Sequence, residues 1–179
     1  TGGENVAVGY GSLGSDTTGS RATAVGRNAL ATQNLTAELN SYNTAFGWSA
    51  GEAVTTGIRN TLIGGSAGDA LTDADNNTAL GYAALGADTK GNRSVAIGFQ
   101  ALATQNFTSS TDSNNVAIGY DSGYSVTTGT LNTLIGANAG DNITTGGTLN
   151  SPTVSGGKFN SPELVDGETS TDFKVIGAS

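Results

Sequence analysis

The phrase “NTLIGGSAG” occupies residues 60–68, and “NTLIGANAG” returns at residues 132–140. Six further variants fill the chain up to residue 144, and in each a glycine follows a short apolar run. These marker glycines are Gly9, Gly26, Gly47, Gly64, Gly81, Gly98, Gly119 and Gly136. Positions within a repeat are numbered from this glycine, so that −1 precedes it and +1 follows it. Repetition at such a short period is typical of a solenoid.

The marker glycines are separated by 17, 21, 17, 17, 17, 21 and 17 residues, which defines a longer period of 72 residues. Residues 1–72 and 73–144 align without a gap and agree at half of their positions. We therefore predict a repeat region of two 72-residue units with four coils each. Residues 145–179 form a separate segment, in which “NSP” recurs at 150–152 and 160–162 and predicts a short β shaft or connector.

Each repeat contains a short strand signal. Position −3 holds Val or Thr, position −2 holds Ala or Leu, and position −1 is always large and apolar. Such a run, bounded by Asn and Gly, predicts a strand, whereas the 28 glycines and the missing 3.6-residue period argue against helix. Turns ending in “TTG” or “TKG” follow. We predict an all-β solenoid of eight coils, each with two short strands and two turns.

Both faces of the predicted strands are apolar, because positions −3 and −1 share one face and position −2 lies on the other. Strands with two apolar faces are typical of sheets buried on both sides. One small coil cannot enclose both faces. We therefore expect an oligomer in which the small Ala/Leu face packs against another copy of the chain.

The repeated pattern “N-[TV]-A-[VIL]-G-x-x-[AS]-[LG]” resembles the head repeat of trimeric autotransporter adhesins. The 17-residue spacing, with “NTALGYAAL” followed by “DTKGN”, resembles still more closely the repeats of bacteriophage tail fibres. This resemblance implies a left-handed parallel β-roll and a three-chain assembly. Residues 145–179 show no heptads, as an adhesin stalk would, but resemble fibre shaft repeats.

The resemblance implies a structural and receptor-binding segment of a longer homotrimeric phage tail fibre, located in the virion. Its partners would be two sister copies and a host surface glycan or protein. The alternative is the head of an adhesin on a bacterial surface. An ice-binding solenoid, which needs a flat face of regularly stacked Thr, and a polysaccharide-degrading tailspike are less favoured, because the “TTG” turns are irregular and the carboxylates are scattered.

Composition argues against several other classes. The formal net charge is −8, which opposes nucleic-acid binding, and no apolar run is long enough to cross a bilayer. There is no Cys or His, so we expect no catalytic triad, no metal site and no cofactor. “DADNN” at residues 73–77 begins like a calcium loop but lacks the required Gly and Glu, which favours a polar turn. We expect no enzymatic activity, although Glu4, Glu38, Glu52, Asp69 and Asp141 are carboxylates.

Two features supply candidate binding residues. The 21-residue coils carry insertions, which solenoids extrude as loops and often use for binding; a passive bulge or an inter-chain clasp is the alternative. The receptor-contact candidates are Gln33, Asn34, Glu38, Gln105, Asn106 and Asp112. Aromatic residues recur at position +1, where they either stack on sugars or form a packing ladder. The glycan-stacking candidates are Trp48, Tyr82 and Tyr120.

Overall fold

The computed structural model describes residues 2–37, 39–141, 143–144 and 153–154. This part of the chain is all-β, and it contains no helix that could span a membrane. The strands are β1 (Val6–Val8), β2 (Thr23–Val25), β3 (Thr44–Phe46), β4 (Thr61–Ile63), β5 (Thr78–Leu80), β6 (Gly91–Asn92), β7 (Val95–Ile97), β8 (Thr111–Asp112), β9 (Val116–Ile118), β10 (Thr133–Ile135) and β11 (Thr153–Val154).

The main sheet is parallel and has the order β1-β2-β3-β4-β5-β7-β9-β10-β11. Equivalent positions of successive coils pair in register, so that Ala24 lies beside Ala45 and Ala45 beside Leu62. The predicted β-solenoid of eight coils is therefore confirmed. Strand β11 pairs with β10 and continues the sheet beyond residue 144. The rest of the predicted shaft lies outside the described residues, and the left-handed winding and three-chain assembly stay predictions.

Each coil contributes one strand to the main sheet, and the prediction of two strands in every coil was wrong. Within the described residues, a second parallel pairing occurs only between β6 and β8, with an isolated bridge from Ser20 to Asn40 at the equivalent place. The reason is local: in every coil the residues at positions −5, 0, +2 and +4 have positive φ. Left-handed residues this closely spaced turn the chain and interrupt extended backbone.

The marker glycine is required by the stacking itself. Gly81 has a φ of 139°, in a region open only to glycine. A Cβ on Gly81 would lie 2.2 Å from the carbonyl oxygen of Gly98, the marker glycine of the next coil. Backbones of successive coils therefore approach each other here without any side chain between them.

The Ala/Leu face at position −2 is enclosed within the single chain, which corrects the prediction that it packs against another copy. Beyond the first coil, these side chains are almost completely buried: Ala24, Ala45, Leu62, Ala79, Ala96, Ala117 and Leu134. Leucines at position +4, such as Leu30 and Leu85, fill the same interior. The chain curls through its left-handed residues until one coil encloses this face, and a second copy is not needed to bury it.

Side-chain size alternates between two interior positions. Coils with Leu at position +4 have Ala at −2, whereas Leu62 at −2 meets Gly at +4 both in its own coil and in the preceding one. A Cβ on Gly51 would lie 2.6 Å from Leu62 Cδ1, and one on Gly68 would lie 2.8 Å from Leu62 Cδ2. Leu134 repeats this arrangement in the second unit. Leu62 therefore occupies the space that the two glycines leave free.

Buried asparagines at position −4 tie the coils together. The Asn43 side-chain oxygen accepts the backbone N–H of Asn60 at 2.8 Å, and Asn60 accepts that of Asn77 at 2.9 Å. Except in the last coil, where Asn132 donates back to the Asn115 side chain, each side-chain amide also donates to a backbone carbonyl of the next coil, as Asn43 does to Gly57 at 2.8 Å. These buried amides thus satisfy backbone groups that would otherwise lack a partner.

We predict that Gly81→Ala lowers the free energy of unfolding by about 3 kcal/mol or more, because the new Cβ meets backbone and the φ is strained. Gly65→Ala is the matched control, since its Cβ would make an ordinary 3.4 Å contact with the Tyr82 ring. Its effect should stay within about 0.5 kcal/mol. Urea denaturation followed by circular dichroism measures both. Equal losses in the two variants would contradict the role given to the marker glycine.

Candidate functional site

The bases of the two long coils are buried and polar. Gln33 and Gln105 are fully buried, so their prediction as receptor contacts was wrong. Gln33 donates to the Asp16 carboxylate at 2.7 Å and accepts from the Asn43 side chain at 2.8 Å. A glutamine is long enough to reach inward and complete the asparagine ladder in a coil that has extra residues. Its role is therefore to hold the loop base closed.

The second loop base is organised around a buried carboxylate. Asp88 Oδ1 accepts the backbone N–H of Gly91 at 3.0 Å and of Phe107 at 3.1 Å. Asp88 Oδ2 accepts from Gln105 Nε2 at 2.6 Å, and Gln105 Oε1 accepts from Asn115 at 2.7 Å. The donors compensate for removing the carboxylate from water.

The loop tips, in contrast, are exposed. Of the predicted contacts, Asn34, Asn106 and Asp112 lie at the surface, whereas Glu38 lies outside the described residues. Asp112 forms an ion pair with Arg93 at 2.6 Å, and Asn106 accepts from the Thr89 hydroxyl at 3.1 Å. Other residues of the same insertions are also exposed at the tips, namely Thr36, Ala37, Leu39, Asn40, Thr108, Ser109 and Ser110. They lie between the buried Leu35 or Phe107 and the returning strand, and the sequence alone did not distinguish them from the buried residues of the insertions.

Both loops leave the solenoid on the same side. In the second unit β8 pairs with β6 of the preceding coil, and in the first unit Asn40 bridges to Ser20 at the equivalent place. The two loops are four coils apart along the stack, which corresponds to about 19 Å at 4.8 Å per rung. The fold therefore presents two similar tips at a fixed spacing.

The aromatic residues at position +1 form a ladder in the second unit. Tyr82 stacks on Phe99 with ring centroids 5.5 Å apart, and Phe99 stacks on Tyr120 at 5.2 Å. Two of the predicted glycan-stacking residues are thus joined through Phe99, and the packing-ladder alternative describes this part of the surface. Trp48 stands apart, since Gly65 occupies the position between it and Tyr82.

The outer face of the main sheet carries the side chains of positions −3 and −1. Position −1 is exposed in four coils and half-buried in the other four. The exposed members are Val8, Phe46, Leu80 and Ile135. No charged residue occurs at either position in any coil. The described chain thus has an uncharged, largely apolar outer face that extends along all eight coils.

Two carboxylates lie at position +5 of successive coils. Burial raises the pKa of Asp69, a hydrogen bond from Ser66 opposes this, and the nearby Glu52 carboxylate adds a smaller rise. Ionised Asp69 therefore lowers stability at neutral pH, and this cost disappears as the pH falls through the raised pKa. The Arg21 side chain is exposed, and its pKa is raised mainly by a hydrogen bond with Glu4.

Residues of the predicted polar turn at 73–77 contact the neighbouring coils. Asp75 accepts the backbone N–H of Ile58 at 2.7 Å, and Asp73 lies 3.5 Å from the Lys90 ammonium. Within the described ranges, no group of three or more acidic, His or Cys side chains is placed to hold a metal ion.

Comparisons with known proteins returned no match: no protein-family model fits the chain, and neither a curated protein nor a solved structure resembles it significantly.

We predict that Gln105→Ala lowers the free energy of unfolding by about 2–4 kcal/mol, because it removes a donor from a buried carboxylate and leaves a cavity. Asn106→Ala is the neighbouring control, and its exposed side chain should contribute less than about 1 kcal/mol. Urea denaturation measures the free energy of unfolding of both variants. A Gln105→Ala variant as stable as the control would show that the loop base does not depend on this hydrogen-bond network.

Proposed function

We propose that this chain is a segment of a homotrimeric fibre that attaches to a host cell surface through the loop tips of its long coils. The observation that carries the proposal is the uncharged outer face of the main sheet. The chain already encloses its Ala/Leu face, so the uncharged side chains at positions −3 and −1 are what remains to be covered.

The size of the outer face supports association. Eight rungs at about 4.8 Å and strands of three residues at about 3.3 Å per residue give a face of roughly 380 Å² in projection. The largest apolar patch of a typical protein surface is about 300–600 Å², and a patch of this size is often an interaction site.

Sister copies are the partners that fit the face best. Every copy has the same rung spacing and the same residue at each rung, so parallel copies in register bring like rungs together around one axis. Closed cyclic symmetry then covers the face in every chain without an open end. The number three rests on the resemblance to fibre and adhesin repeats rather than on any contact within one chain.

The proposed function depends on the stiffness of the stack and on how it presents the loop tips. Continuous backbone pairing through the main sheet makes the stack rigid, and three copies repeat each loop tip around the axis. Many equivalent tips at fixed distances favour multivalent attachment, which strengthens individually weak contacts. A phage tail fibre is the preferred assignment; the head of a bacterial surface adhesin would use the same architecture.

We expect Leu80→Asp to convert the assembly into folded monomers, because three charges would be buried near the axis. Leu80 is 45% exposed in the single chain, so the substitution leaves the solenoid interior intact. Asn76→Asp, at an exposed site in the same coil, should leave the molar mass unchanged. Sedimentation equilibrium at micromolar concentration measures the mass of both variants. A monomeric parent protein would contradict the assembly.

Attachment is tested with the loop tips. Replacing Thr108, Ser109 and Ser110 by alanine should weaken adsorption of the labelled protein to a susceptible bacterial strain by about tenfold, as for loss of receptor contacts. The control replaces Thr56 and Thr128, which are exposed on the regular turns. Flow cytometry on a panel of strains provides the readout. Equal adsorption of both variants would exclude the tip at residues 108–110 as the attachment surface.

A further inference from the structure

One rung of the position +1 ladder is bare between two aromatic residues. In order along the stack, the ladder reads Tyr10, Arg27, Trp48, Gly65, Tyr82, Phe99, Tyr120 and Ala137. Arg27 lies over Tyr10, with its guanidinium carbon 5.7 Å from the ring centroid. From Tyr82 to Tyr120 the rings stack directly on each other. Trp48 and Tyr82, both more than half exposed, are therefore separated only by a residue without a side chain.

The spacing of this gap matches one inserted ring. Trp48 and Tyr82 belong to coils that are two rungs, or about 9.6 Å, apart. Neighbouring rings in the same ladder stack with centroids 5.2–5.5 Å apart, so two stacking steps span about the same distance. A single ring that entered at Gly65 would lie one stacking step from each neighbour.

The glycine at this rung is not needed by the backbone. Gly65 does not have the left-handed φ of the marker glycines, and the only nearby atoms that a Cβ would meet belong to the Tyr82 ring, at 3.4 and 3.8 Å. A larger residue would therefore fit the fold and would complete the ladder from Trp48 to Tyr120. What glycine provides here is a rung without a side chain, next to the Tyr82 ring and on the side of Trp48.

We propose that the gap at Gly65 is a binding slot for one neutral hexopyranose ring, held between Trp48 and Tyr82. A pyranose presents C–H groups on its faces, which stack on aromatic rings, and hydroxyl groups at its edge, which the Tyr82 hydroxyl can meet. The net charge of −8 disfavours acidic sugars. The slot deepens the proposed function, on which it relies only for the source of the sugar, a cell-surface glycan.

The single tryptophan of the chain makes the slot directly observable, because Trp48 fluorescence reports on its own surroundings. The probes are three neutral oligosaccharides: maltohexaose, chitohexaose and a β-1,4-linked galactohexaose. At least one should shift or quench the Trp48 emission in a saturable way. Absence of a response to all three at 10 mM, roughly the concentration that a weak stacking site requires, would overturn the slot.

Filling the slot is the decisive test. Gly65→Tyr should weaken binding of the responding oligosaccharide by at least about tenfold. The melting temperature of this variant should equal or exceed that of the parent, because the ladder is completed. Ala137→Tyr, at the equivalent position of the second unit, should bind like the parent. Unchanged binding by Gly65→Tyr would refute the slot. So would a change in molar mass confined to Gly65→Tyr, since the occupant would then be a sister chain.

Cell adsorption separates this inference from the proposed function. If the parent and Gly65→Tyr adsorb equally to a susceptible strain and bind the oligosaccharide equally, the slot is refuted and attachment through the loop tips stands. If the parent adsorbs to no strain but Trp48 responds to a sugar and Gly65→Tyr does not, the slot is supported and the attachment function fails.

Discussion

The architecture depends on the close approach of backbones at the marker glycines. In the first seven coils, a Cβ on this glycine would lie 2.1–2.5 Å from the carbonyl oxygen of the next marker glycine. Only glycine permits that approach, and only its φ of 126–147° turns the chain in the required direction. Coils of 17 and 21 residues are both compatible with it, because the four extra residues leave the stack on the far side. The repeat is therefore a steric requirement, renewed in every coil.

Polar groups inside the solenoid give the stack its order. Except for Asn132 in the last coil, each asparagine at position −4 contacts the following coil through both atoms of its amide, so a coil shifted by one residue would leave buried donors without acceptors. In the two long coils a glutamine takes over, with Asp88 and Gln105 as one such pair. The loops are consequently anchored by directional hydrogen bonds at their base, while their tips remain free for contact with another molecule.

Comparison of the two 72-residue units separates structural from functional positions. Many interior positions keep their residues, as Leu62 and Leu134 or Gln33 and Gln105 do, although buried Ala22 is equivalent to Ser94 and Leu35 to Phe107. The ladder at position +1 differs between the units: Arg27 of the first unit is equivalent to Phe99 of the second, and Gly65 is equivalent to Ala137. Divergence is thus tolerated where side chains face outward, which is where the proposed assembly, attachment and sugar-binding surfaces lie.

From its sequence alone, this chain could be given its fold class, its coil number and the register of its strands. Identical residues at a constant period must lie above one another, so counting from Gly9 to Gly136 was sufficient. The sequence did not show which apolar face is enclosed, because alternation in a strand distinguishes two faces without saying which way the chain curls. That direction is set by residues with positive φ, such as Leu30 and Arg93. A leucine or an arginine in a sequence does not by itself indicate a positive φ. The sequence also did not show which residues of the insertions are buried and which are exposed. Gln33 is buried because its partner Asp16, in the preceding coil, comes next to it only when the coils stack.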